Sequence, residues 1–187
     1  MLPRARSCLI GWSLALAVFL GDAAPACAAD RSLEYAVKAT FLYKFAGFVE
    51  WPAGSFEHES SPFNLCIVGT DPFGGRIIED AVRGQHVGRH PIVLRRLATV
   101  EPGSGCHAMF ASGRGTADAL NAASGTPTLT VTDSSFDAAR GIIHFVIVDD
   151  RVNFQIDNVA AARSRLVISS KLLALAQRVN ARAGNTP

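Results

Sequence analysis

The sequence predicts an α/β fold: a three-layer α/β sandwich whose mostly parallel sheet ends in an antiparallel C-terminal hairpin and carries helices on both faces. Three observations predict it. Short continuous apolar runs alternate with helical segments, the order that parallel βαβ units require. The stretch at 34–52, EYAVKATFLYKFAGFVEWP, spaces its apolar residues for an amphipathic helix, and such a face needs a sheet to cover it. Toward the C-terminal end, two apolar runs meet at Asp149-Asp150-Arg151, the pattern of an antiparallel hairpin on the sheet edge.

At 187 residues, 49% apolar and 18% charged, the chain is long enough for one well-buried core and too short for two. Residues 1–29 differ in kind from the rest. Arg4 and Arg6 give a positive start, 9–20 is a short apolar run, and PACAAD supplies small residues for cleavage after Ala28 or Ala29, so this segment reads as a secretory signal peptide. The run is shorter than the roughly 20 apolar residues that cross a bilayer, which excludes a permanent anchor. Residues 30–187 are then expected to form a single exported α/β domain.

Without residues 1–29 the chain keeps 16 basic and 15 acidic side chains. No basic stripe with interleaved aromatics appears, and Arg95-Arg96 is only a dipeptide, so nucleic acid is not an expected partner. Export changes the meaning of the cysteines as well. Cys8 and Cys27 leave with the signal, and Cys66 and Cys106 remain in an oxidising compartment, where they are expected to form a disulfide.

Taken in order, the helix at 34–52 places Leu33, Val37, Phe41, Phe45 and Phe48 on its buried face. Pro52 ends it, because the residue before a proline is pushed out of the α region; Glu50 and Trp51 lie at its exit. FNLCIVG at 63–69 is a buried strand, and Asp71-Pro72 starts a helix to about Val82, with Phe73, Ile77, Ile78 and Ala81 facing the sheet. Further strands follow at 92–98 and 106–112, a small-residue helix at 116–123, and a strand that ends at Asp133. After the hairpin at 142–157, Asp157 opens a short Ala-rich helix. Ser169-Ser170 then caps a last helix with Leu172, Leu175, Ala176 and Val179 on one face.

No catalytic constellation emerges. His58, His86, His90, His107 and His144 are scattered over loops and strands, and none forms HxxxH, HExxH or a Cys/His cluster, so no metal or cofactor is expected. There is no GxSxG elbow, and the GTDPFGG turn matches neither phosphate-loop pattern. A binding or regulatory protein is therefore expected, rather than an enzyme. Open α/β sheets place ligands at the carboxyl ends of their strands, which makes Gly69, Thr70, Asp71, Ser112, Arg114 and Asp133 the candidate ligand-binding residues.

EYAVKATFLYKFAGFVEWP, the strand LCIVGTDPFG, CHAMF, LTVTD and VNFQIDNVAAARSRLVISSKLLALA, in this order, resemble the YfiR family of periplasmic regulators. The resemblance implies an exported repressor that binds the periplasmic sensing domain of an inner-membrane diguanylate cyclase. It also implies that an outer-membrane lipoprotein can sequester the repressor, freeing the cyclase to make cyclic di-GMP. Cys66 and Cys106 carry over as a structural disulfide, whereas a second cysteine pair of some members has no counterpart. Phe48, Glu50, Trp51, Asp71 and Phe73 are the candidate partner-binding residues, at the EWP exit and the turn after the first strand. A homodimer through an exposed hairpin edge or helix face is a further expectation. The alternative to the repressor is a periplasmic small-molecule-binding sensor module without a cyclase partner.

Overall fold

The computed structural model describes residues 26–181 apart from 75, 137 and 138. The expected signal peptide thus lies almost wholly outside the described residues. An eight-stranded sheet is built from β2 (Phe63–Gly69), β3 (His86–Val87), β4 (His90–Leu97), β5 (Ala108–Ser112), β6 (Leu129–Asp133), β7 (Ile143–Val148), β8 (Arg151–Asp157) and β10 (Arg178–Asn180). Its order is β10-β8-β7-β6-β5-β2-β4-β3. Pairing is parallel from β4 through β2, β5 and β6 to β7, antiparallel within β7–β8 and β3–β4, and parallel again between β8 and β10. A separate two-stranded antiparallel ribbon joins β1 (Val49–Glu50) to β9 (Val167–Ile168).

Period-two alternation along the central strands sends side chains into two different layers. Phe63, Leu65 and Ile67 of β2 and Phe110 of β5 enter the larger core, together with side chains of helix α1 (Ala26–Ala46) and helix α2 (Ile77–Val82). Cys66, Val68, Met109 and Ala111 point the other way, onto helix α3 (Thr116–Ala123), which offers only Ala119 and Ala123 as buried apolar groups. The disulfide between Cys66 and Cys106, 40 residues apart in sequence, lies in this thin second layer. Helices on both faces make the three-layer sandwich that the alternation predicts.

Four elements depart from expectation, three of them because of partners far away in sequence and the fourth, α2, because of a local turn. Helix α1 stops at Ala46, not at Trp51: Gly47 and Phe48 donate to the carbonyls of Lys44 and Phe45 in a closing turn, and Val49–Glu50 pairs with Val167–Ile168 as strand. Its buried stripe is also rotated. Tyr35, Lys38, Ala39, Leu42, Phe45 and Ala46 face inward, while Leu33 and Val37, expected inside, are 67% and 36% exposed. Helix α2 begins at Ile77 and not at Pro72, because Asp71 Oδ1 accepts from the Phe73 N–H at 2.8 Å and closes a separate turn instead of capping the helix. After the short α4 (Asn158–Arg163), the last helix, α5 (Ser170–Leu175), is capped by Ser169 as expected but ends before Val179, since Arg178–Asn180 pairs with Gln155–Asp157. Leu175 is left 68% exposed, and the hairpin β7–β8 lies inside the sheet edge, covered by β10.

Candidate functional site

The carboxyl ends of β2 and β5 are tied to each other. The Thr70 N–H donates to the Ser112 carbonyl at 3.0 Å, and the Ser112 hydroxyl donates to the Thr70 carbonyl. Gly69 and Gly113 adopt φ of +78° and +79°, and a Cβ at either would meet Ser112 O at 2.4 Å or Thr70 Oγ1 at 2.3 Å. These glycines permit a close crossing of two loops. Asp71 accepts from Arg96 at 2.8 Å as well as from the Phe73 N–H, and Arg96 also holds Glu79 at 2.6 Å. The cavity at this end is small, about 190 Å³ among Ile67, Gly69, Asp71, Arg96, Leu97 and Ala98.

Of the expected ligand set, Gly69, Thr70, Asp71 and Ser112 are brought together, but their polar groups are engaged with the chain itself. Arg114 is exposed beside them. Asp133 is elsewhere in chemical terms: its carboxylate is fully buried and holds Lys38 Nζ at 2.5 Å. Lys38, on α1, is also fully buried. It donates to Glu34 one turn before it and sits 4.8 Å from the centroid of the Tyr35 ring. Burial, reinforced by Asp133 and Glu34, pushes the Tyr35 phenol up to about 12. Periodicity did not single out this cluster, although a lysine between Tyr35 and Leu42, four residues from Glu34, marks one helix face for a buried carboxylate.

Of the expected partner set, Phe48 and Glu50 are exposed on the outer face of the β1–β9 ribbon, opposite buried Val49 and Ile168. Trp51 is partly buried, edge-on to Phe63 at 5.4 Å, and its Nε1 donates to the Pro127 carbonyl at 3.2 Å. Asp71 is half-buried at the turn. Phe73 must be withdrawn from that set, because it is wholly enclosed between Tyr35 and Phe110 and touches no solvent.

The larger cleft, about 500 Å³, opens at the opposite end, where 54–62, 100–107 and 122–128 precede the parallel strands. Phe56 is stacked between His90 and His107, with centroids at 3.8 and 4.4 Å. His107 Nδ1 accepts from the Asn64 N–H at 2.9 Å, so its proton resides on Nε2 and is donated to the Ser55 carbonyl at 2.9 Å. Burial lowers the His107 pKa, as the loss of this acceptor on protonation requires. Burial also lowers that of His144, which shares a hydrogen bond with Thr132 at 2.8 Å.

Both shifts couple folding to pH with the same sign. Below the ordinary imidazole value of 6.5 the unfolded chain takes up protons that the folded chain refuses, so stability falls as pH drops, until the folded imidazoles themselves protonate. Each histidine contributes a slope of at most about 1.4 kcal/mol per pH unit. Urea midpoints between pH 7.5 and 5.5 are expected to decline, and His144→Gln to decline less steeply; equal slopes for the two would remove His144 from this account.

Most of helix α1, the cystine and the strands β2 to β8 fall within one recognised unit: a family model described as YfiR/HmsC-like matches residues 35–177. The chain belongs to that family. No curated protein matches it. In this YfiR/HmsC-like chain the matched region takes in every residue of both candidate sets. No helix among the described residues is long and apolar enough to cross a membrane, and no three His, Cys, Asp or Glu side chains among them come together as a metal site.

Proposed function

We propose that the chain is a non-catalytic periplasmic regulator, a single domain released from its signal at 1–29. It represses an inner-membrane signalling partner, a diguanylate cyclase, by binding the partner's periplasmic sensing domain, and so lowers cyclic di-GMP. An outer-membrane lipoprotein that captures the regulator relieves the repression. The observation that carries this reading is membership of the YfiR/HmsC-like family across 35–177. The geometry is compatible with it: repression needs a surface whose affinity differs between two states of the partner, and no reactive group.

Phe48, Glu50 and the edge of Trp51 form the contact surface in this reading, with Asp71 at a second turn. Phe48→Asp is expected to weaken capture of the mature protein by purified periplasmic sensing domains by about tenfold or more at unchanged melting temperature. Trp51→Ala is expected to lower the melting temperature too, because its ring packs on Phe63. Full-strength capture by Phe48→Asp would remove the ribbon from the interface, and no capture of any sensing domain by the wild type would overturn the reading. A homodimer belongs to the same proposal, with β3 and β10 as the edge strands it would use. The cleft around Phe56 and His107 favours the second reading, a small-molecule sensor module, for which a metabolite that raises the melting temperature is the test.

A further inference from the structure

Charge is divided unevenly along this chain. Residues 30–157 hold 11 cationic side chains against 15 carboxylates, whereas residues 158–187 hold five cationic side chains and no carboxylate. Four of the five, Arg163, Arg165, Lys171 and Arg178, are exposed, and none makes an ion pair with a described residue. Elsewhere Arg76, Arg83, Arg89 and Arg96 are paired to carboxylates, while exposed Lys44, Arg114 and Arg151 make no ion pair with a described residue.

The same stretch exposes apolar side chains between its cations. Arg165, at φ 59°, lies in the turn that leads into β9, where Val167 is 48% exposed on the outer face of the ribbon. Ser169 then starts α5, on which Lys171 and Leu175 are four residues apart, share one face and are both exposed, while Leu172, beside Leu175, is buried. Leu175, at 68%, has the highest exposure of any large apolar side chain described.

We propose that this stretch, through its exposed Arg163, Arg165, Val167, Lys171 and Leu175, docks on an anionic lipid bilayer. Cations that carry no counter-charge of their own gain from a negatively charged surface, and aliphatic tips between them reach the headgroup boundary. Leucine, valine and lysine are poor anchors for a protein interface, and no exposed aromatic side chain stands among them, although the two arginines would suit either surface. The acidic remainder of the molecule is repelled by the same surface, so the charge division fixes one orientation. Glu50 pairs directly with Val167 and shares the outer face of the ribbon with it and Phe48, so the docked stretch adjoins the surface that a membrane-anchored partner would contact. Docking confines the search for that partner to the membrane surface and raises its effective concentration.

The test uses the mature chain with protein-free vesicles of pure phosphatidylglycerol and of pure phosphatidylcholine. Co-sedimentation is expected with the first and not the second, and it weakens as salt is added. At about fivefold per cation, Arg165→Glu together with Lys171→Glu loses about 25-fold or more, at unchanged melting temperature. Absence of binding to phosphatidylglycerol at low salt, equal binding to both lipids, or undiminished binding by the variant overturns the proposal. So does binding that appears only with protein-containing inner-membrane vesicles, which would make this face a protein interface. Capture of sensing domains is measured without lipid, so the partner reading and this one fail separately.

Discussion

Lys38→Met is expected to destabilise the protein by about 3–5 kcal/mol, because it strands the carboxylate of Asp133 in a place that water does not reach. Both side chains are fully buried, and the pair is separated by 95 residues in sequence, so it fastens α1 to the end of β6. Glu34 does not replace the lost cation's role; it is itself an acid, and it is 28% exposed, where water solvates it. For a chain of this size the loss corresponds to a fall of about 10 °C in melting temperature. The companion variant separates a stranded charge from a valuable bond: Lys38→Met with Asp133→Leu is expected to recover most of the stability, since a buried ion pair and an apolar pair of similar volume often break even. Thermal unfolding of the wild type, the two single variants and the double variant reads this out. A Lys38→Met protein as stable as the wild type would show that Asp133 finds another partner or is hydrated.

Reduction of the cystine is the second large effect. Replacing Cys66 and Cys106 by alanine is expected to cost about 3–4 kcal/mol, the chain entropy of a loop with 40 residues between its ends. The location makes the loss hard to absorb. The layer under α3 buries Met109, Val68 and Ala111 against the small side chains Ala119 and Ala123, so the helix brings little apolar area of its own. By contrast, the layer under α1 packs Phe45 on Phe145 and Phe154 at 5.7 and 4.9 Å, and its contacts survive reduction. The wild type treated with reductant is expected to melt like the alanine variant, and hydrogen exchange is expected to rise first in α3 and 100–107. An unchanged melting temperature in reductant would mean that the bridge ties together segments already held by packing.

Much of this fold is legible from local pattern. Helix α3 begins and ends where small-residue spacing and flanking glycines place it, at Thr116 and Ala123, and Asp157 and Ser169 cap the short helices they precede, with bonds to Ala160 and Leu172 N–H groups. The hairpin β7–β8 turns at Asp149 and Asp150, both at positive φ, as an Asp-Asp pair between apolar runs suggests. The helix and turn signals depend on residues close together in the chain, whose preferences are already decided before the chain folds. The disulfide, which joins residues 40 apart, was expected instead from counting the cysteines outside the expected signal segment.

The candidate sites were less legible. Gly69, Ser112 and Asp133 lie at strand ends, as the general rule for open sheets places ligand residues, but the rule does not reveal that Ser112 bonds to Thr70 of the neighbouring loop or that Asp133 meets a lysine from a distant helix. Phe73 has the same apolar signature in a turn as in a core, and only the closing of α1 over it, with Tyr35 at 5.7 Å, enclosed it.

By itself, then, the sequence determined the layered α/β class, the strands β2 and β4 to β8 and the caps of the two short helices after β8, because alternation and capping are properties of neighbours, and the cysteine count pointed to the cystine. Tertiary structure alone decided which face of α1 turns inward, that it stops at Ala46, and that 178–180 leave the last helix to become an edge strand. The physical reason is the same in all three: the deciding partners are Asp133, Val167–Ile168 and Gln155–Asp157, backbone and side-chain groups far off in the chain whose hydrogen bonds and buried charge outweigh a local helical preference.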